Sequence, residues 1–415
     1  MNEKRLLADL AALIAIPSLT GEEQPCRQAL DFVLRRAQGM GMRTGITREG
    51  DAGWAEIGQG SVTLGILAHV DVVGVGDMEK WRSDPFTLTE KDGQLYGRGV
   101  EDDKGPVLQC LYGMAALLEE NVPLRKKIRL IVGTGEESCW TDMVHYKEQF
   151  GTPDYGFSPD AAFPVYHAEK GYADATLLFD APELAELTAG DSPNTVPSFA
   201  RLRYQDGREL TATGVSVHSS APEKGDNAIL RLAEKADDAA LWRFLREKFS
   251  TDCPAVALGL DDGSDTYQGV CVGTTVCAPT VLSLKDGKAV LNINIRFRPG
   301  VTASDLQAAF TKLAAAYGFD FTLKSDSEPM LVSPDKPFIR AMNEVGEQFD
   351  IESGCYTASG ATYCSAFPNH VGWGPTLPPD EGSAHEENEH TARADFFRVA
   401  EVYAAYLRRS AQEVE

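Results

Sequence analysis

The chain has 415 residues, 43% of them hydrophobic, and a formal net charge of −23. This length exceeds the size at which a single core usually divides, so two domains are expected. The negative charge excludes a nucleic-acid partner, because a phosphate backbone requires a basic surface that no stretch supplies. No window approaches the ~20 apolar residues that a membrane span requires. The eight cysteines form no C-x-x-C pair, which indicates reduced thiols in a cytoplasmic protein.

The predicted elements of the first part of the chain form a parallel crossover unit. Residues 6–16 have the apolar spacing of an amphipathic helix. Residues 61–68 and 127–132 are short runs rich in β-forming residues, which predict two buried strands. Between them, Gly105 and Pro106 open a predicted helix, since proline suits a first helical turn. Strand, helix and strand in this order are typical of a parallel sheet.

The middle of the chain alternates hairpins with helices. Residues 202–214 predict a hairpin around Gln-Asp-Gly, and strands at 279–284 and 288–297 flank Lys-Asp-Gly. Helices are predicted at 226–235 and 302–317. The pattern predicts a small α+β domain inserted into a larger α/β domain. The expected limits are 1–171 and 329–415 for the α/β domain, which ends with helices at 336–348 and 391–413, and 172–328 for the insertion.

Carboxylate and imidazole groups occur in five short segments that together predict one dinuclear metal site. One such segment would mean little, since acidic residues are common at surfaces. Two of them follow the predicted buried strands, where open α/β sheets place their functional groups. The five segments are His69–Asp71, Glu101–Gly105, Glu136–Glu137, Ser158–Asp160 and Ala384–Asn388.

Asp71 and Asp102 each have two interpretations. On a strand, residues i and i+2 share a face, so Asp71 can accept a hydrogen bond from the His69 ring nitrogen that faces away from a metal. The alternative is a structural histidine beside a surface aspartate. Asp102 can bridge two cations with its two oxygens, or it can cap the helix that follows.

Glu136 and Glu137 are adjacent carboxylates that repel each other unless cations or protons compensate. If one ligates a metal while the other takes the proton of a metal-bound water, the repulsion is resolved; a plain acidic loop is the alternative. With Asp160 and His385, the candidates supply two imidazoles and three carboxylates, which suit zinc and also manganese or cobalt. Surface or packing roles are assigned to His145, His167, His370 and His390.

Six blocks of the sequence resemble metallopeptidase family 20, which includes carboxypeptidase G, aminoacylase and bacterial dipeptidases, with the PepV-type and Sapep-type dipeptidases nearest. The resemblance covers nearly the whole chain in the family's order. It implies a zinc-peptidase-like α/β catalytic domain with a mixed, largely parallel sheet, and an inserted α+β lid. The blocks are ILAHVDVV (66–73), YGRGVEDDKGP (96–106), GTGEESCW (133–140), GFSPDAAFPVYHAEKG (156–171), NTVP (194–197) and AHEENE (384–389).

The resemblance also implies how two divalent cations, zinc first among them, would be held. It places His69 and Asp160 on one cation and Glu137 and His385 on the other. Asp102 bridges both.

Catalytic and substrate-binding roles follow from the same resemblance. Glu136 matches the general base, Asp71 the acid that orients the histidine, and His218 the lid histidine that stabilises the tetrahedral intermediate. The positions that hold substrate match Asn194, Arg296 and Thr362. The segment 360–365 ends in Ser365 and therefore lacks the basic residue of the family's G-G-T-Y-A-R pattern.

The leading interpretation is a cytoplasmic dipeptidase, a monomer or homodimer that acts on small peptides. A hydroxide held between the two cations would attack the scissile carbonyl, with Glu136 passing the proton to the leaving amine. One alternative is an amidohydrolase that removes the acyl group of N-acyl amino acids at the same site. The other is an inactive metal-binding or peptide-binding homologue.

Overall fold

The structure is a computed structural model that describes residues 2–380 and 382–412, without the side chain of Asp326. Contacts divide the chain into two compact units. No described helix is long and apolar enough to cross a membrane. The first unit comprises Met1–His167, Val332–Tyr356 and Thr362–Glu415, and the second comprises Ala168–Leu331 and Thr357–Ala361.

A mixed sheet forms the centre of the first unit. Its four central strands run parallel, in the order Lys127–Gly133, Thr63–His69, Tyr155–Ser158 and His370–Trp373. Every residue of Thr63–His69 is buried, as expected for a parallel strand covered on both faces. Antiparallel strands extend the sheet on both sides: Ala52–Ile57 and then Arg43–Ile46 beside Lys127–Gly133, and Val165–Glu169 beside His370–Trp373.

Helices pack on this sheet, and one of them makes the predicted crossover. Lys104–Glu119 connects the parallel strands Thr63–His69 and Lys127–Gly133, and almost all of its residues are buried. It packs against Arg393–Gln412. The predicted strand, helix and strand are therefore confirmed. The other α-helices described in this unit are Glu3–Ile14, Glu23–Gly39, Thr141–Phe150 and Pro337–Glu347.

Short elements complete the first unit. Gln94–Tyr96 pairs with both Thr89–Lys91 and His390–Ala392. Ala161–Ala162 pairs with Pro375–Thr376. Short 3-10 helices occur at Met78–Lys80 and Tyr363–Ala366. The strand Cys355–Ala358 has its first two residues in this unit and its last two in the second.

The second unit is built on a seven-stranded antiparallel sheet. Along Gly171–Asp180 buried and half-buried residues alternate, so one face of the sheet carries the core. Phe179, Phe244 and Phe310 belong to this core together with residues of the helices. The strand order is Glu209–Thr213, Phe199–Tyr204, Leu184–Ala189, Val276–Lys285, Lys288–Phe297, Gly171–Asp180 and Asp320–Ser327.

The remaining elements of the second unit are short, apart from two longer helices. Both predicted hairpins are confirmed, with strand pairs around 205–208 and 286–287. The predicted fold class is confirmed as well: an α/β part with parallel central strands and an α+β part. The helices are Ala228–Ala233, Ala240–Phe249, Pro254–Leu258 and Ala303–Tyr317, with a 3-10 helix at Pro222–Lys224; the minor strands are Thr195–Val196, Val217–His218, Thr266–Tyr267, Val270–Cys271 and Met330–Leu331.

Candidate metal centre and active site

The predicted metal ligands of the first unit meet at the carboxyl ends of its parallel strands. His69 is the last residue of one central strand. Asp160 follows the neighbouring strand by two residues, and Glu136 follows the other neighbour by three. Because parallel strands end at the same edge of a sheet, three segments that are distant in sequence present their side chains together.

Asp102 lies between the two imidazoles. Its Oδ1 is 3.0 Å from Nε2 of His69, and its Oδ2 is 2.9 Å from Nε2 of His385. Each imidazole faces one further carboxylate: Asp160 Oδ2 is 3.7 Å from the His69 nitrogen, and Glu137 Oε1 is 2.9 Å from the His385 nitrogen. The five side chains therefore form two groups of candidate ligands that share Asp102.

The capping alternative for Asp102 does not describe its contacts. The helix that follows begins at Lys104, and its N-cap residue is Asp103, whose side chain makes no capping hydrogen bond. Asp103 instead accepts a hydrogen bond from the backbone N–H of His69 at 3.1 Å. Both carboxylates are thus directed toward the strand end at His69, away from the first turn of the helix.

Asp71 contacts both His69 and the loop that carries the two glutamates. Nδ1 of His69 is 2.9 Å from the Asp71 carbonyl oxygen and 3.3 Å from its carboxylate. Because the strand ends at His69, the regular i, i+2 geometry of a strand does not continue to Asp71. The carbonyl oxygen and the carboxylate of Asp71 therefore both face the His69 ring. The carboxylate also accepts the backbone N–H groups of Glu136 and Glu137, at 3.2 and 3.3 Å, and the hydroxyl of Thr20.

A second buried carboxylate, Asp142, fixes the turn before Glu136. It accepts the backbone N–H groups of Thr134 and Gly135 at 2.8 and 3.0 Å, and also the hydroxyl of Tyr363. Sequence reasoning missed Asp142, because an aspartate in the first turn of a helix is a common surface feature. The turn is therefore held by side chains on both of its sides.

Burial and like charge perturb the acids of the cluster. The pKa of Glu136 is raised well above its usual range, first by burial and then by Asp160 and the other nearby carboxylates. Burial also raises the pKa of Asp160 and of Glu137. Hydrogen bonds to Asp102 and Glu137 raise the pKa of His385 to about 11. The cluster thus contains more carboxylates than its two imidazoles can balance, so that cations or protons must compensate them.

Two observations indicate that the side chains of this cluster can bind a divalent cation. Nε2 of His69, Oδ1 of Asp102 and Oε1 of Glu136 are buried and make no aligned hydrogen bond among the described residues, although the first two atoms lie 3.0 Å apart. Ligand atoms of His69, Glu136 and Asp160, and likewise those of His69, Asp102 and Glu137, lie within 4.8 Å of one another. Unpaired buried acceptors are costly unless they coordinate a metal or take up a proton, so these atoms fit a cation.

Glu389 is a further buried carboxylate that the sequence did not single out. It accepts the backbone N–H groups of Gly99, Glu101 and Asp102 at 2.9, 2.8 and 3.1 Å, and it pairs with Arg98 at 2.8 Å. Burial, and then the charge of Asp102, raise its pKa to about 7. The carboxylate therefore holds the loop that presents Asp102. In the block AHEENE nothing distinguishes it from its acidic neighbours.

The predicted substrate-binding residues are distributed over the two units. Thr362, in the first unit, caps the 3-10 helix Tyr363–Ala366 by accepting the backbone N–H of Cys364 at 3.2 Å. In the second unit the other residues gather around Tyr172. Its hydroxyl donates to Asn194 at 3.1 Å, and the Arg296 guanidinium lies 4.5 Å from the centroid of its ring. His218 pairs with the residue after Asn194 and is exposed.

The other four histidines of the sequence interpretation lie outside this cluster. Each contacts a group that explains its position: His145 pairs with Asp51, His167 and His370 contact backbone carbonyls of Val332 and Pro368, and His390 stacks on Tyr96.

Comparisons with known proteins identify the family to which the chain is similar. The sequence profile of Peptidase family M20/M25/M40 matches residues 65–409. A Bacillus subtilis (strain 168) protein named "Putative dipeptidase YtjP" is 32% identical over 460 aligned residues, which cover 97% of this chain and 96% of that protein.

Solved structures with the same fold include the M20 family metallo-carboxypeptidase Sso-CP2 from Sulfolobus solfataricus. Its TM-score is 0.64 at 17% identity, over 97% of this chain and 98% of that one. Another is the YXEP protein of Bacillus subtilis, described as a dinuclear metal binding peptidase from the M20 family. Its TM-score is 0.59 at 12% identity, over 99% of both chains.

Proposed function

Because the chain belongs to Peptidase family M20/M25/M40 and is a metal-dependent peptidase, we propose that it hydrolyses dipeptides with two divalent cations. The observation that carries the proposal is the position of Asp102, with one oxygen at each imidazole. The similarity to a protein named as a dipeptidase over almost its whole length supports the dipeptide as substrate.

In the proposed centre, His69 and Asp160 would hold one cation, Glu137 and His385 would hold the other, and Asp102 would contribute to both. Two imidazoles and three carboxylates are the donor set that suits zinc, so zinc is the proposed metal. Two such cations, when bound, supply Lewis-acid polarisation of the scissile carbonyl and lower the pKa of a water molecule.

Glu136 is the proposed general base. It takes a proton from the attacking water and donates it to the leaving amine. Two hydrogen bonds hold the backbone of Glu136. Nε1 of Trp140 donates to its carbonyl oxygen at 2.7 Å, and the Asp71 carboxylate accepts its backbone N–H at 3.2 Å. Its buried Oε1, without a described partner, is available for this proton transfer.

In the second unit we assign His218 to stabilisation of the tetrahedral intermediate, and Asn194 and Arg296 to the substrate backbone and carboxylate. In the first unit we assign Thr362 to substrate binding. These roles come from the family resemblance. For Asn194 and Arg296, their association around Tyr172 supports a common role.

A substrate panel tests the proposal. Purified protein is loaded with Zn²⁺ or Mn²⁺ and assayed on neutral dipeptides and on N-acetyl amino acids, with chelator-treated protein as the control. We expect metal-dependent turnover of dipeptides and little turnover of the N-acetyl compounds. Faster hydrolysis of the N-acetyl compounds would instead identify a deacylase, and no turnover of either class would contradict both assignments.

A further inference from the structure

Lys170, in the second unit, is a buried cation without an ionic partner. The residue is 8% exposed, and among the described residues no carboxylate forms an ion pair with it. Its backbone N–H donates to the carbonyl of Ala358 at 3.0 Å, and its Nζ lies beside Gly273. Because lysine is almost never fully buried unless it is paired, this ammonium requires an explanation.

Arg296 is a second buried cation attached to the same short segment. It is 8% exposed, and its described partners are neutral: the carbonyl of Ser359 at 3.3 Å and the side-chain oxygen of Asn294 at 3.4 Å. Since Ser359 follows Ala358 directly, the backbone N–H of Lys170 and the guanidinium of Arg296 donate to adjacent carbonyls of the segment 357–361. Two cations are therefore held in one part of the unit.

Asp174, Asp261 and Glu223, whose charges act on Lys170 or Arg296, are already engaged or exposed. The two oxygens of Asp174 accept the Tyr172 hydroxyl at 2.7 Å and the Asn294 amide at 3.2 Å. Asp261 is held by Arg298, and Glu223 is an exposed residue of a 3-10 helix.

Burial disfavours the charged form of both residues, and the charge of Arg296 also disfavours that of Lys170. Burial lowers the pKa of Lys170, and the charge of Arg296 adds to this effect. Burial lowers the pKa of Arg296 as well. Two buried like charges repel each other unless an anion lies between them, so the geometry leaves a site for an anionic group.

We propose that Lys170 and Arg296 together bind the C-terminal carboxylate of the peptide substrate. This inference rests on the proposed dipeptidase function and adds Lys170 to it as a specificity-determining residue. A guanidinium binds a carboxylate through parallel N–H groups, and a lysine ammonium adds a point charge beside it. The α-carboxylate is the one anionic group that every dipeptide with neutral side chains carries.

Binding of a peptide acid and of its amide tests the inference directly. Calorimetry measures the dissociation constants of alanyl-leucine and alanyl-leucinamide on metal-loaded Glu136→Gln protein, in which the bound peptide persists. The same measurement is repeated on Glu136→Gln protein that also carries Lys170→Met, Lys170→Arg or Lys126→Met. Lys126 is the matched control, because it is 9% exposed but donates to the Tyr155 hydroxyl within the first unit.

We expect Lys170→Met to weaken binding of the acid about 10- to 100-fold, the range for a lost hydrogen bond to a charged group, and to leave binding of the amide unchanged. Lys170→Arg should keep most of the preference for the acid, and Lys126→Met should behave as the parent. The inference is overturned if Lys170→Met binds the acid within twofold of the parent, or loses acid and amide equally.

A second measurement keeps the test decisive if Lys170→Met does not fold. In protein labelled with ¹³Cε-lysine, the Lys170 signal is assigned by its absence from Lys170→Arg. The acid should shift this signal and the amide should not; an unmoved signal overturns the inference. Neither experiment depends on turnover, so acid-selective binding without hydrolysis would contradict the dipeptidase proposal alone.

Discussion

At the residue scale, burial decides which of the many acidic side chains belong to the site. Sequence patterns singled out Asp102, Glu136 and Glu137, because each follows a predicted strand or precedes a predicted helix. The same patterns gave no signal for Asp142 or Glu389, which lie among other acids in the sequence and become buried only through tertiary packing. Sequence patterns therefore indicate candidate ligands and give no signal for the residues that position them.

Replacement of the proposed general base should separate proton transfer from metal binding. We expect Glu136→Gln to lower kcat by at least ~10²–10⁴-fold, the usual contribution of acid–base catalysis, with metal content unchanged. Steady-state kinetics and metal analysis of the same preparation measure both quantities. Glu137→Gln is the matched variant and should lose a cation; a Glu136→Gln protein that also loses one would refute the division of roles.

His218 should act on rate and not on metal content. If its imidazole donates to the developing oxyanion, His218→Ala should lower kcat by ~10²–10³-fold. The control is His145→Ala, which removes a partly exposed histidine of the first unit that pairs with Asp51 and should be nearly silent. A His218→Ala enzyme that retains more than about a third of wild-type kcat falls outside that range and would exclude the role.

At the element scale, long periodic segments were predictable and short or irregular ones were not. The helix Ala303–Tyr317 begins with a capping box and has clear apolar spacing, so its prediction lies within one residue of the structure. The strand His370–Trp373 has four residues, and its place in the sheet depends on pairing with Tyr155–Ser158 far away in sequence. No local pattern specifies such a pairing.

The loop that presents Asp102 should depend on Glu389. We expect Glu389→Gln to destabilise the first unit by about 2–4 kcal/mol, because the amide cannot accept all the N–H groups and pair with Arg98. It should also weaken metal binding. Urea unfolding and metal titration check the two effects. Glu386→Gln, an exposed change three residues earlier, should stay within about 0.5 kcal/mol of wild type, and an equally mild Glu389→Gln would contradict the loop's dependence on this carboxylate.

At the scale of the whole molecule, buried ionisable groups couple stability to pH. Burial lowers the pKa of His370 from its usual 6.5 to about 4 in the folded chain. Between these values the unfolded chain takes up a proton that the folded chain resists. The free energy of unfolding therefore decreases as the pH falls from about 6.5 to 4. His370 accounts for a decrease of up to about 3 kcal/mol.

Replacement of His370 isolates this contribution from that of the carboxylates. Unfolding free energies of wild type and His370→Phe are measured in urea from pH 4 to 7. The variant should lose less stability on acidification, whatever its stability at pH 7. Parallel curves for the two proteins would show that His370 is not the group responsible.

The central claim is that Asp102 holds two cations in one site. The most direct test is the metal content of dialysed wild-type and Asp102→Ala protein after loading with Zn²⁺, measured by elemental analysis per folded chain. We predict two cations per chain for wild type and loss of both from Asp102→Ala. One cation or none in wild type, or two retained without the Asp102 carboxylate, would contradict the claim.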